Sequence, residues 1–234
     1  MRSRRRVLGA VHIVVTAGIA LAAEATPPTE FAAEREEMVA RQIEARGIRD
    51  PRVLEAMRRV PRHRFVPDDE AAYAYEDRPL PIGSGQTISQ PYIVAAMTEA
   101  AGVGPGESVL EIGTGSGYQA AVLAELGARV HSIEIVPELA RRARKTLESE
   151  GYGRVVVIEG NGWLGLPDKA PFDRILVTAA PDRVPEALVE QLRVGGRMVL
   201  PVGENDQWLR VLEKTPDGVR ERELFPVRFV PMVK

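Results

Sequence analysis

The fold of this chain is decided by residues 109–117, which read Val-Leu-Glu-Ile-Gly-Thr-Gly-Ser-Gly. A short, mainly apolar run typical of a buried strand leads into three glycines, and a helical pattern follows them. Glycine has no Cβ, so this loop can turn tightly and let a ligand approach its backbone. In an open α/β sheet, ligands bind at the carboxyl ends of the strands, where such a loop lies. The stretch therefore predicts a strand, a ligand-binding loop and a helix in succession.

Strand-like and helix-like segments alternate on both sides of this loop. The predicted helices cover residues 91–100, 117–126, 137–150 and 185–192. The predicted strands cover residues 108–112, 129–135, 154–158, 172–178, 197–201, 209–213 and 227–230. Repeated alternation of this kind predicts an α/β fold, with a mostly parallel sheet covered by helices on both faces.

The region before residue 91 has a different pattern. Helices are predicted over residues 34–45 and 51–59, the second beginning at Asp50-Pro51, which is typical of a helix N-cap and first helical residue. Residues 61–90 are predicted to be largely loop, and a loop of that length in a compact domain is usually functional.

The N-terminus carries a separate signal. Residues 1–25 have a basic start, an apolar stretch and small residues at its end, which are the three parts of a secretory signal peptide. The apolar run is near the lower limit for a membrane span, so an anchor is also compatible. The alternative is a start codon set too far upstream, since Met38 would begin the folded part. Residues 26–37, which contain Pro27-Pro28, are predicted to be a linker.

Composition limits the chemistry that the chain can perform. With 234 residues and 44% hydrophobic content, it can bury a sizeable core. Its net charge of −2 argues against binding to nucleic acid, which usually requires a basic surface. The absence of cysteine excludes disulfides, thiolate metal sites and cysteine nucleophiles. The three histidines, His12, His63 and His131, are too scattered for a convincing metal site, so we expect no metal.

The spacing of the glycines distinguishes two classes of cofactor. A dinucleotide fingerprint has glycine at the sixth position of G-x-G-x-x-G, where this chain has Tyr118. Glu111 places negative charge beside the loop, which disfavours a phosphate and suits a cationic ligand such as S-adenosylmethionine. Glu134 ends the next strand about 20 residues after the first glycine, where a carboxylate can accept both hydroxyls of a ribose. The cofactor-binding residues predicted here are Glu111, Gly113, Thr114, Gly115, Gly117 and Glu134.

The loop after the third strand is a further candidate. Residues 159–163 read Glu-Gly-Asn-Gly-Trp, and Asn161 and Gly162 are predicted to meet the edge of an adenine ring. The alternative is a plain glycine turn with Trp163 in the core, since asparagine is a common turn residue.

Four stretches together resemble one enzyme family. They cover residues 83–91, 110–119, 170–175 and 228–232, and the likeness extends from about Met38 to the C-terminus. On these residues the chain resembles the protein-L-isoaspartate (D-aspartate) O-methyltransferases. The glycine loop alone would indicate only a methyltransferase of some kind. The sequence Gly-Ser-Gly-Gln-Thr-Ile-Ser, which starts the first of these stretches, is far more specific.

The resemblance implies a Rossmann-like class I S-adenosylmethionine-dependent methyltransferase, with a mostly parallel seven-stranded sheet and a reversed last strand. It implies that Ser89 is the active-site serine and that a C-terminal strand with Val230 and Pro231 lies near the substrate. Gln86 and Thr87 are predicted to share substrate binding, although a plain polar surface loop is the alternative. Ser89 could instead be the N-cap of the following helix, and the sequence leaves both roles open.

The implied reaction is transfer of a methyl group from S-adenosylmethionine to the α-carboxylate of L-isoaspartyl or D-aspartyl residues in damaged proteins, which starts their repair. Such a carboxylate is ionised at pH 7 and needs no general base. The family usually has Gly-Asp-Gly where this chain has Asn161 between two glycines, so we expect weakened cofactor binding. The alternatives are a methyltransferase for another substrate and a non-catalytic peptide-binding module on the same fold.

The likeness also divides the folded part, residues 38–234. Residues 38–90 are expected to supply N-terminal helices and a substrate loop, and residues 91–234 the cofactor-binding sheet. We expect a monomer in the cytoplasm, where S-adenosylmethionine is made. Export or membrane anchoring through residues 1–25 is the alternative.

Overall fold

A computed structural model describes residues 31–234. The signal-like segment, residues 1–25, and most of the predicted linker lie outside the described residues. The end of that linker is corrected, because Ala32–Glu37 form helix α1. Within residues 31–234, no helix is both long enough and apolar enough to cross a membrane.

The two predicted N-terminal helices are confirmed. Helix α1 continues through a π-helical segment, Met38–Ile43, which places Met38, Val39 and Ile43 in the core. Helix α2 is Pro51–Arg59, and its start follows from local chemistry, because the Asp50 carboxylate accepts a hydrogen bond from the backbone N–H of Arg52.

The predicted loop over residues 61–90 contains a β-hairpin that the sequence analysis missed. Strands β1 (Leu80–Gly83) and β2 (Gln86–Ile88) pair antiparallel around a two-residue turn. Both turn residues have positive φ, 55° at Ser84 and 71° at Gly85, as a hairpin turn of this length requires. The hairpin matters because β2 leads directly into Ser89.

The remaining strands form one sheet. Its members are β3 (Ser108–Ile112), β4 (Arg129–Glu134), β5 (Val156–Glu159), β6 (Phe172–Val177), β7 (Leu192–Val202), β8 (Gln207–Thr215) and β9 (Gly218–Val227). The spatial order is β5-β4-β3-β6-β7-β8-β9. Strands β3 to β7 pair in parallel, whereas β8 is antiparallel to β7 and β9 is antiparallel to β8. The expected seven-stranded, mostly parallel sheet with a reversal at its end is confirmed.

Helices cover both faces of this sheet. They include α3 (Pro91–Ala101), α4 (Tyr118–Glu125), α5 (Pro137–Ser149) and α6 (Glu186–Gln191). Val109 and Leu110 are neighbours in β3 and both fully buried, but they belong to different hydrophobic clusters. Successive strand residues point to opposite faces, so a strand covered on both sides has a continuous apolar run.

The last predicted strand, residues 227–230, is wrong. Strand β9 ends at Val227 and begins nine residues earlier, at Gly218. Most of its residues are exposed, and residues 220–223 are all charged, which protects the edge of a sheet but hides the apolar alternation on which the prediction depended. The residues after β9 form an extended tail, which makes a single bridge between Pro231 and Ala180.

Candidate cofactor and active site

A pocket lies at the carboxyl ends of β3, β4 and β6. Its empty space is about 820 Å³, open mouth included. The predicted site residues that line it are Gln86, Thr87, Ser89, Glu111, Gly113, Thr114, Gly115, Glu134, Gly162, Val230 and Pro231. Five separate segments of the chain therefore meet at one place, at the carboxyl ends of the parallel strands.

Residues 113–116 of the glycine loop line the pocket. Gly113 has φ 96°, and a Cβ added there would lie 2.6 Å from the Thr178 hydroxyl oxygen. That hydroxyl donates a hydrogen bond to the backbone oxygen of Gly113 over 2.7 Å, so the end of β6 holds the loop in place. A Cβ at Gly162 would overlap the Ile112 side chain. Gly113 needs glycine because of its backbone conformation as well as close packing, and Gly162 because of close packing.

Glu134 connects the end of β4 to the glycine loop. Its carboxylate accepts hydrogen bonds from the backbone N–H of Gly115 at 2.7 Å and from that of Val136 at 2.9 Å. The side chain is only 5% exposed. Each carboxylate oxygen retains capacity for a second hydrogen bond, so both can still accept the hydroxyls of a ribose. The position fits the predicted role in holding the sugar.

Glu111 is fully buried in the pocket wall. The Ser132 hydroxyl donates to one carboxyl oxygen at 2.5 Å and is bonded in turn to the Thr114 hydroxyl at 2.5 Å. The other oxygen, Oε1, has no partner among the described residues. Burial raises the pKa of Glu111 to about 8, against the lowering effect of the Ser132 hydrogen bond.

The sequence analysis expects a negative charge beside the loop, and this expectation is wrong for the protein without a ligand. A carboxyl group with this pKa is mainly neutral at pH 7, because burial disfavours its charged form. A cation placed against the unpaired oxygen of Glu111 would favour the ionised form. The site is thus compatible with a cationic cofactor.

Two predicted residues, Gly117 and Asn161, do not line the pocket. Gly117 has φ 89° at the start of α4, and a Cβ there would lie 3.2 Å from Leu147 of α5. Its role is to allow close packing of these helices. The side-chain oxygen of Asn161 accepts from the Trp163 backbone N–H at 3.0 Å and caps a short 3-10 helix, Gly162–Leu164. Both residues shape the loops that bear the pocket.

Ser89 lies on the pocket wall and does not cap α3. The N-cap position is occupied by Gln90, and no side chain makes a capping hydrogen bond there. Within residues 31–234 the Ser89 hydroxyl has no hydrogen-bond partner, although it lines the pocket together with Gln86 and Thr87 of β2. The hydroxyl is therefore available to a ligand.

The C-terminal tail closes one side of the pocket. Ala180 donates its backbone N–H to the oxygen of Val230, and Met232 donates to the oxygen of Ala180, both over 2.8 Å. The indole N–H of Trp163 donates to the Met232 oxygen at 3.3 Å. The Gln207 amide also donates to the Phe229 oxygen at 3.1 Å and accepts from the Phe229 N–H at 2.6 Å. The tail is thus held by backbone pairing and two side chains, with Val230 and Pro231 facing the pocket.

Sequence reasoning missed several residues that shape this site, namely Thr98, Gln119, Ser132, Trp163 and Thr178. Thr178 ends a predicted strand at its carboxyl end, and this position could have singled it out. Ser132 and Gln119 lie inside predicted elements, where their neighbours give no sign that Ser132 bonds to Glu111 or that Gln119 lines the pocket. Within the described part of the chain, no group of three or more histidine or acidic side chains could hold a metal ion.

Comparisons with known proteins agree with this geometry. A family model described as protein-L-isoaspartate (D-aspartate) O-methyltransferase matches residues 33–234. Protein-L-isoaspartate O-methyltransferase from Gloeobacter violaceus is 59% identical, covering 84% of this chain and 97% of the relative. The protein of the same name from Opitutus terrae is 52% identical, covering 100% of this chain and 99% of the relative.

Solved structures are similar as well. A protein-L-isoaspartate O-methyltransferase structure has a TM-score of 0.78 and 29% identity, over 86% of this chain and 66% of the other. A Plasmodium falciparum protein described by the same name, in complex with S-adenosyl-L-homocysteine, has a TM-score of 0.76 and 25% identity. That match covers 85% of this chain and 98% of the other.

Proposed function

This chain belongs to the protein-L-isoaspartate (D-aspartate) O-methyltransferase family, and we propose that it methylates the free carboxylate of L-isoaspartyl and D-aspartyl residues in damaged proteins. That carboxylate is the α-carboxylate of an L-isoaspartyl residue and the side-chain carboxylate of a D-aspartyl residue. It is an S-adenosylmethionine-dependent carboxyl O-methyltransferase. The observation that carries the proposal for the site is that Ser89, with its unbonded hydroxyl, lines the same pocket as the glycine loop. A group that binds the acceptor is thereby placed beside groups that hold the methyl donor.

The cofactor would be held by three groups of this chain. The Glu134 carboxylate would accept from the ribose hydroxyls, and the bare backbone at Gly113 and Gly115 lets the ligand approach closely. The unpaired oxygen of Glu111 would face the cationic end. When bound, S-adenosylmethionine supplies an electrophilic methyl group attached to a positively charged sulfur.

The carboxylate that accepts the methyl group needs to be oriented more than it needs to be activated. A free α-carboxylate is already ionised at pH 7, and the described residues that line the pocket include no histidine to act as a base. The Ser89 hydroxyl would donate to one carboxylate oxygen and leave the other directed at the methyl carbon. An oxygen–carbon bond forms and a sulfur–carbon bond breaks, so no proton has to move. Positioning of this kind can lower a barrier by roughly 7–11 kcal/mol.

Repair follows from the chemistry of the product. The methyl ester activates the carboxyl group for attack by the neighbouring backbone nitrogen, which expels methanol. Water then opens the resulting succinimide partly to normal aspartate without the enzyme. The partners would therefore be damaged proteins and peptides of many sequences. We place this activity in the cytoplasm, where the methyl donor is made.

The test uses two peptides that differ only in isoaspartate against aspartate at one position. Labelled methyl from S-adenosylmethionine should appear on the isoaspartyl peptide alone and be released as methanol in mild base. Label on the aspartyl peptide to the same extent would indicate a different acceptor. Binding of S-adenosylhomocysteine without any transfer would favour the alternative of a non-catalytic peptide-binding module.

A further inference from the structure

Gln119 lies on the first turn of α4, and the orientation of its amide is fixed by two consecutive hydrogen bonds, from Gln119 to Thr98 and from Thr98 to Val94, called the relay below. The Thr98 hydroxyl donates to the backbone oxygen of Val94 at 2.7 Å, so its oxygen can only accept from a second partner. Gln119 Nε2 donates to that oxygen at 2.9 Å. The nitrogen of the amide must therefore face Thr98, and the carbonyl oxygen must point away from α3.

That carbonyl oxygen is buried and has no partner. Gln119 is 7% exposed and lines the pocket, yet Oε1 makes no hydrogen bond within residues 31–234. The same is true of Oε1 of Glu111 in the same pocket. Buried acceptors are rarely left unpaired, so two of them around one pocket indicate a ligand with N–H donors. A second acidic or carbonyl group would be repelled there, whereas an ammonium group offers three donors and a positive charge.

The position of the two unpaired oxygens, Oε1 of Gln119 and Oε1 of Glu111, indicates which end of the cofactor they contact. Gln119 reaches the pocket from the side of α3, the helix that follows Ser89, where the reacting groups must meet. Glu134, the residue suited to the ribose, lies at the end of β4. The amino-acid end of the methyl donor, not its adenosine end, therefore belongs beside Gln119.

We propose that Gln119 Oε1 and Glu111 Oε1 together accept hydrogen bonds from the α-ammonium group of the methyl donor, with Thr98 as the positioning residue that aims the amide. The inference rests on the proposed function, because it assumes that S-adenosylmethionine is the cofactor. It adds a cofactor-binding residue, Gln119, that lies beyond the glycine motif.

The test compares two ligands in the absence of peptide. S-adenosylhomocysteine has the α-ammonium group, and 5′-methylthioadenosine has the adenosine and sulfur without the amino-acid end. In Gln119→Met, calorimetry should give S-adenosylhomocysteine binding weaker by roughly tenfold or more, because a hydrogen bond to a charged group is lost. Binding of methylthioadenosine should be unchanged. An equal loss for both ligands, or no loss for S-adenosylhomocysteine, would overturn the proposal, the latter meaning that only a water meets the amide.

The chain offers a matched control in Gln42. Its Nε2 donates to the backbone oxygen of Tyr75 and its Oε1 is also buried and unpaired, but it does not line the pocket. Gln42→Met should therefore leave the affinity for both ligands unchanged. A selective loss of S-adenosylhomocysteine binding in this variant would contradict the assignment.

A second variant keeps the proposal testable if Gln119→Met does not fold. Thr98→Val preserves the shape of the side chain but removes the acceptor that aims the amide, so it should weaken S-adenosylhomocysteine binding selectively and by less. Unchanged binding of both ligands in Thr98→Val would count against the relay. These comparisons of ligand affinity between variant and wild-type protein need no acceptor peptide. Failure of methyl transfer in the wild-type protein would therefore reject the proposed function without deciding whether Gln119 binds the α-ammonium group.

Discussion

Gly115 and Glu134 are joined by a 2.7 Å hydrogen bond from the backbone N–H of the loop to the carboxylate at the end of β4. One acid thus fixes the loop that receives the cofactor and keeps its remaining lone pairs for the ribose. The cofactor site is ordered by the same group that would bind the sugar, which reduces the cost of ordering the loop when the ligand arrives.

Glu134→Gln tests this double role. An amide can replace only one of the two acceptor oxygens, so its NH₂ group would face a backbone N–H from Gly115 or Val136. We expect a free energy of unfolding lower by about 1–3 kcal/mol and binding of S-adenosylhomocysteine weaker by at least roughly tenfold. Denaturant titration and calorimetry measure the two effects. Glu138→Gln, an exposed acid in the first turn of α5, should leave ligand binding unchanged and lower the free energy of unfolding by at most about 1 kcal/mol, through its interaction with the helix dipole.

Gly113→Ala tests the packing of the loop. The added Cβ would lie 2.6 Å from the Thr178 hydroxyl, so the loop or the end of β6 must move. We expect S-adenosylhomocysteine binding to be lost or strongly weakened, together with a lower melting temperature. Gly151→Ala is the control, because its φ of 85° is similar but no atom lies within 4 Å of the added Cβ. If both variants bind the ligand normally, the loop tolerates a side chain and its glycine has no role in cofactor access.

Glu111 predicts a pH dependence of stability. Burial raises its pKa from 4.5 to about 8, with the nearby Glu134 also raising it and the Ser132 hydrogen bond lowering it. Between these values the folded protein binds the proton more tightly than the unfolded chain, so the free energy of unfolding of the ligand-free protein should fall as pH rises from about 5 to 8. In Glu111→Gln this contribution should be absent. Denaturant titrations at several pH values measure the difference, and parallel curves for the two proteins would contradict the assignment.

Trp163→Phe tests the attachment of the C-terminal tail. The change removes the indole N–H that donates to the Met232 oxygen and leaves an aromatic ring in place. We expect the KM for an isoaspartyl peptide to rise several-fold, because the wall formed by Val230 and Pro231 is held less firmly, while the melting temperature changes little. Trp208→Phe is the matched control in β8, where the ring is 38% exposed. An unchanged KM in Trp163→Phe would mean that backbone pairing with Ala180 and the Gln207 amide hold the tail without the indole.

The central elements of the fold were predictable because burial on both faces leaves a readable pattern. Strand β3 was predicted with the bounds that the structure has, since its residues are mainly apolar and its end is marked by glycine. Strand β9 was missed because an edge strand is protected by charges, and those charges conceal its alternation. The hairpin of β1 and β2 was missed because the strands are short and its turn begins with Ser84.

The site was predictable where a residue's role depends on local sequence, and less so where it depends on packing. Glycine spacing and a distal acid identified Gly113, Gly115 and Glu134, which the structure brings together. The sequence could not tell whether Ser89 caps a helix, because that depends on where the hydroxyl points. Nor could it identify Gln119, since the lack of a partner for its carbonyl oxygen appears only in three dimensions.

The account depends most on Ser89, and the most direct measurement is kcat/KM of Ser89→Ala for an isoaspartyl peptide, taken together with its free energy of unfolding. Because the hydroxyl makes no capping bond, the unfolding free energy should stay within about 0.5 kcal/mol of the wild-type value. Loss of a hydrogen bond to the substrate carboxylate should lower kcat/KM by roughly tenfold or more. An unchanged kcat/KM, or a loss that follows unfolding of the protein, would contradict the assignment of Ser89 to the substrate.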